Sequence, residues 1–115
     1  MSNYTAPVAD MSFVLKEVVA LEKLCEFADF DSSTVDMVET VLDAAGKLAK
    51  EEIEPTNQPG DLQGVKIDST GKVATAEGFK EAYQHYVDGG WGSLQFSPEY
   101  GGQGIPFVVA ASVQE

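Results

Sequence analysis

Residues Thr34 to Glu54 read TVDMVETVLDAAGKLAKEEIE, with apolar side chains at Val35, Val38, Val41, Leu42, Ala45, Leu48, Ala49 and Ile53. Recurrence at three- and four-residue intervals puts these positions on one face of an α-helix and leaves the acids and lysines on the other. Ser33 is placed to accept a hydrogen bond from the backbone N–H of Asp36, and the Asp36 carboxylate suits the positive end of the helix dipole. Pro55 has no N–H to continue the ladder and is expected to end the helix. A helix of this length with one broad apolar face must bury it against other helices, so the fold is read as all-α.

Working outward toward the N-terminus, Asp29, Asp31, Ser32 and Ser33 form a polar break. Before it, Val14, Leu15, Val18, Val19, Leu21, Leu24 and Cys25 predict an amphipathic helix from Met11 to about Phe27, capped by Asp10. Met1 to Ala9, which contain Pro7, read as an extended lead-in. In the other direction, Pro55 to Thr75 is rich in Gly, Pro, Asn and Asp. There Val65, Ile67 and Val73 flank an Asp68-Ser69-Thr70-Gly71 turn that can close a short hairpin. Thr75 is positioned to cap a third helix through about Asp88, with Phe79, Ala82, Tyr83, Tyr86 and Val87 facing inward and Gly89-Gly90 as its stop. Ser97 to Gly104 is a glycine-rich loop, and Pro106 opens a strongly apolar helix that reaches only as far as Glu115. The expected architecture is an up-down, bundle-like helical domain with a small hairpin or irregular insert, truncated at its last helix. An apolar helix with so little chain to pack against is most simply part of a longer protein.

The 115 residues suit one domain, and ordinary hydrophobic (43%) and charged (23%) fractions imply that it folds. A formal net charge of −12, from 19 acids against 7 bases, repels polyanions and argues against a nucleic-acid partner or adsorption to anionic membranes. No apolar run approaches the roughly 20 residues of a membrane span. Cys25 stands alone, so no intrachain disulfide is possible and a cytoplasmic location is expected.

Little in the sequence carries chemistry. His85 and Cys25, one of each, cannot build a usual zinc site, and no phosphate-cradling fingerprint follows a strand. The stretch Lys66 to Glu77 places Asp68, Thr70, Gly71 and Glu77 in the register of a calcium loop, but Lys66 occupies the first ligand position, so a hairpin turn is the better reading. A second stretch starting at Asp29 has Thr34 and Thr40 where a glycine and a bidentate acid belong. The aromatic group Tyr83, Tyr86, Trp91, Phe96 and Tyr100 is read as a core wall rather than a stacking platform. The loop around Tyr100 is the one candidate contact site, because glycines let a ligand or another backbone come close.

Tyr4-Thr5-Ala6-Pro7 followed by Asp10-Met11-Ser12-Phe13-Val14-Leu15-Lys16-Glu17-Val18 resembles the opening of a long-chain subset of acyl-CoA dehydrogenases. Gly78-Phe79-Lys80-Glu81-Ala82-Tyr83, Gly89-Gly90-Trp91 and Pro98-Glu99-Tyr100-Gly101-Gly102-Gln103-Gly104-Ile105-Pro106 resemble the N-terminal helical domain of the same family, in the same order. The resemblance implies an N-terminal extension in residues 1–30 and an incomplete helical domain in residues 31–115. It further implies that a β-rich middle domain and a C-terminal helical bundle complete the enzyme, holding flavin adenine dinucleotide (FAD) and an acyl-CoA thioester.

In that family a C-terminal glutamate removes the α-proton while the flavin takes the β-hydride. No residue here is assigned either role, so no catalytic, flavin-binding or metal-binding residue is expected and the isolated chain is expected to be inactive. Tyr100, Gly101, Gly102 and Gly104 match the family's glycine-rich loop, a substrate-pocket or domain-contact element. The implied partners are the remaining domains and acyl-CoA, with a homo-oligomer open. The rival reading is a stand-alone acidic helical interaction module that buries its apolar face in a partner.

Overall fold

The computed structural model describes residues 4–27, 30 and 33–115. Of the sequence features above, Asp29, Asp31, Ser32 and the side chain of Ser33 lie outside that description, and with them the proposed Ser33 cap and the start of the second calcium-loop candidate. Helix α1 (Val8–Phe13) passes into a wider π-type turn, Val14–Val18, and α2 covers Leu21–Phe27. Helix α3 (Ser33–Leu48) likewise widens into a π-type turn, Ala49–Ile53. A 3-10 turn, Glu54–Thr56, leads to α4 (Asn57–Gln63), followed by the antiparallel hairpin of β1 (Lys66–Ile67) and β2 (Val73–Ala74). Helices α5 (Phe79–Asp88) and α6 (Phe107–Gln114) complete the chain, separated by 3-10 turns at Trp91–Ser93 and Pro98–Tyr100. The fold is all-α apart from that hairpin, as the periodicity predicts.

The core gathers Leu15, Leu21 and Cys25 from the first two helices, Val38 and Leu42 from α3, Leu94 and Ile105 from the connections, and Val109 and Ala110 from α6. Burying such side chains stabilises by about 1.5–3 kcal/mol each, so this one small cluster dominates folding. Helix α3 is its spine: the stripe read from the sequence is the face that meets α1, α2 and α6.

Several expectations are corrected. The single helix expected from Met11 to Phe27 is broken at Ala20, which adopts φ 53°, and its first half begins at Val8 with Asp10 in the first turn rather than at the cap. The break turns the chain so that Leu15 and Leu21 both reach the core. Pro55 does not end the helical path; it occupies the start of a 3-10 turn, where its missing N–H costs nothing. The Gly- and Pro-rich stretch read as loop then forms α4, with Pro59 in the first turn. Helix α5 starts at Phe79, after a left-handed Gly78, instead of after Thr75. Only Ala82 of its expected inward face is buried. The hairpin is present with the expected turn: Asp68 accepts hydrogen bonds from the backbone N–H and hydroxyl of Thr70 and from the N–H of Lys72.

The molecule is elongated, 55 × 34 × 18 Å, with a radius of gyration of 17.1 Å. A compact domain of this length has about 13 Å. The hairpin projects from the core, with every residue from Asp61 to Thr75 exposed.

Candidate functional site

The glycine-rich loop is held almost entirely by its own backbone. Ser97 Oγ accepts from the N–H of Glu99, and Tyr100 and Gly102 donate to the carbonyl of Ser97 at 2.9 and 3.1 Å. Gly104 donates to Phe96 O at 2.8 Å, and Ile105 to Leu94 O at 3.1 Å. These bonds fold the loop back on the preceding turn and deliver Ile105 to the core. Gly102 lies at the point of closest approach: a Cβ there would stand 2.0 Å from the carbonyl oxygen of Phe96. Gly101, at φ 83°, has open space around it. Tyr100 is 79% exposed and is the one side chain of the four candidates that faces outward.

The aromatic group does not form the wall expected of it. Trp91 packs against the core, but Tyr83 and Phe96 are 67% and 52% exposed. Helix α5 buries only Ala82, so Tyr83 on its outer side stands in solvent.

Two clefts flank α6. The larger, about 720 Å³, lies between the N-terminal arm, the second half of α3, α4 and the last turn of α6. Its floor is Leu42, Ala45, Gly46, Ala49 and Ile53, and its rim carries Glu54, Asp61 and Glu115. The smaller, about 500 Å³, is bordered by Tyr86, Gly92, Phe107 and Ala111. Phe107, Ala111 and Gln114 follow one another at helical spacing on the exposed side of α6, and Phe107 is 71% exposed.

Neither cleft suits the diphosphate of a flavin dinucleotide. That group calls for cationic side chains or converging backbone N–H donors. No lysine lines either cleft, the bases of the sequence are all lysines, and the larger rim is acidic.

The titratable groups are structural in character. Glu39 is held below the usual carboxylate range, first by its hydrogen bond from Lys16, then by that from Ser12. Asp68 is lowered by the hydroxyl of Thr70 and then by the backbone N–H groups of Lys72 and Thr70. Burial pushes the Cys25 thiol up, which makes it a poor nucleophile. His85 Nε2 lies 3.4 Å from the Glu52 carboxylate, and Cys25 is buried in the core. Among the described residues no three His, Cys, Asp or Glu side chains are grouped to hold a metal ion, and no helix is long and apolar enough to cross a membrane.

The chain matches no protein-family model. It is 33% identical over 113 residues to the 3-methylmercaptopropionyl-CoA dehydrogenase of Ruegeria pomeroyi, covering 98% of this chain and 19% of that protein. It is 27% identical over 116 residues to the broad-specificity linear acyl-CoA dehydrogenase FadE5 of Mycobacterium tuberculosis, covering 100% of this chain and 19% of that protein. The chain thus spans about a fifth of the length of the curated relatives it matches. The resemblance read from the residues therefore holds: along essentially its whole length this chain is similar to members of the acyl-CoA dehydrogenase family.

Proposed function

We propose that this chain is the N-terminal helical part of a longer, FAD-dependent acyl-CoA dehydrogenase and is inactive by itself. The observation that carries the reading is similarity along the whole chain to two such enzymes, each about five times as long. In this reading residues 1–30 are an extension clamped onto the helical domain of residues 31–115, and the rest of the polypeptide brings the flavin site and the base for α,β-dehydrogenation of an acyl-CoA in the cytoplasm. The acidic rim of the larger cleft and the thin, elongated body suit a segment that supplies walls to a larger assembly. Tyr100, Gly101, Gly102 and Gly104 then form a contact loop: the glycines set the backbone and the exposed Tyr100 meets the neighbouring domain or the substrate cavity.

The test is thermal denaturation with FAD and an acyl-CoA, run on the 115-residue chain and on the longer polypeptide. A shift with yellow colour in the longer protein and none in the shorter supports the proposal. Tight flavin binding by the 115 residues alone overturns it. The exposed face of α6 favours a second reading, an acidic interaction module that covers this face with a partner or a second copy; sedimentation of the isolated chain as a stable dimer would favour that alternative.

A further inference from the structure

The larger cleft follows from how little of α3 is covered. Helix α3 with its π-type turn runs from Ser33 to Ile53, about 31 Å at the α-helical rise. Helix α6, about 12 Å long, shares the core with Val38 and Leu42 through Val109 and Ala110. Beyond Leu42 the same stripe of α3 continues as Ala45, Ala49 and Ile53 and forms the cleft floor. Small side chains there let another helix lie close, as the arm already does: a Cβ on Gly46 would stand 3.0 Å from the Cβ of Ala6. The last turn of α6, through Ser112 and Val113, forms one wall of the cleft.

We infer that the cleft is the seat of further turns of α6, contributed by the stretch that follows Glu115 in the longer polypeptide; this rests on the reading that the chain is part of such a polypeptide. Three observations favour that occupant. The relatives continue for about four-fifths of their length outside the matched part. Six of the eight residues of α6 are apolar and none is charged, the composition of a helix covered on more than one side. A net charge of −12 opposes the docking of a second copy of the same surface. Glu54 and Asp61 on the α4 side further require that the added turns present lysine, arginine or neutral donors there, since an acid in that place would meet like charge.

The test is thiol footprinting of the longer polypeptide. Ala45→Cys and Ala49→Cys place thiols on the cleft floor, and Glu51→Cys places one on the outer face of the same segment. N-ethylmaleimide labelling is read at each site by peptide mass spectrometry. Labelling at Cys-substituted positions 45 and 49 is expected to be at least ~10-fold slower than at position 51, given the depth of cover a packed helix provides. Equal rates overturn the inference, and so does protection that grows with protein concentration, which would give the cleft to a second copy. Bound flavin and acyl-CoA dehydrogenation are scored on the same preparations. Protection without flavin would leave this inference standing and remove the enzymatic one; labelling of a flavin-loaded enzyme would do the reverse.

Discussion

Gly102 and Gly101 are neighbours in the glycine-rich loop, yet they are required for different reasons. At Gly102 the neighbour is backbone on both sides, Phe96 O and Ser93 O, so a methyl group cannot be accommodated by rotating a side chain. Gly102→Ala should therefore cost about 3 kcal/mol in urea denaturation, the upper end of the range for overpacked sites. Gly101→Ala meets only the left-handed backbone penalty and should cost about 1 kcal/mol. The resemblance picked out both residues together, because a motif does not distinguish close packing from backbone conformation. At Glu39 the expectation concerns pH. Its carboxyl is lowered in the folded state, so its contribution is present above the unfolded carboxylate value and fades as pH falls through the folded one. Lys16→Met should raise the Glu39 pKa in an NMR titration, and added salt should shrink the difference, since the pair is exposed.

Among the elements, the junction of α1 and α2 is held in an unfavourable conformation. Ala20 takes a positive φ that glycine adopts freely, so Ala20→Gly should raise stability by about 1 kcal/mol in the same measurement. Leu42→Ala, which removes a side chain from the middle of α3, should cost about 2–5 kcal/mol. The contrast shows what could be read beforehand. Helix α3 was legible because its stripe is long and regular and its burial follows from that stripe. The break at Ala20 was not, because Val18-Val19-Ala20 has no Gly or Pro and the apolar spacing runs straight through it. Helix α4 was hidden by Pro59 and Gly60, which usually mark loops. Here Pro59 sits where no N–H is needed, and Gly60 leaves room for the Phe79 ring, which a Cβ would meet at 2.8 Å. The inward face expected of α5 failed for another reason: periodicity shows that a helix has an apolar side but not whether neighbouring elements cover it.

Over the whole molecule, charge and shape act together. Nineteen acids against seven lysines repel one another across a thin body, so the midpoint of thermal unfolding should rise as sodium chloride is added and the repulsion is screened. A constant midpoint from low to moderate salt would show that the weakening of local pairs such as Lys16–Glu39 balances the relieved repulsion. The loop candidates were legible in the sequence, whereas the clefts were not, because a cleft is a relation between helices distant in the chain. The core itself is shared between two distant stretches: Leu15, Leu21, Cys25, Val38 and Leu42 precede the projecting hairpin, and Leu94, Ile105, Val109 and Ala110 follow it. A protease nick at the exposed Ser69–Gly71 tip would thus sever the backbone without touching that cluster. The two pieces would be natural halves for a split-reporter design, able to find each other again through the leucines and valines they exchange.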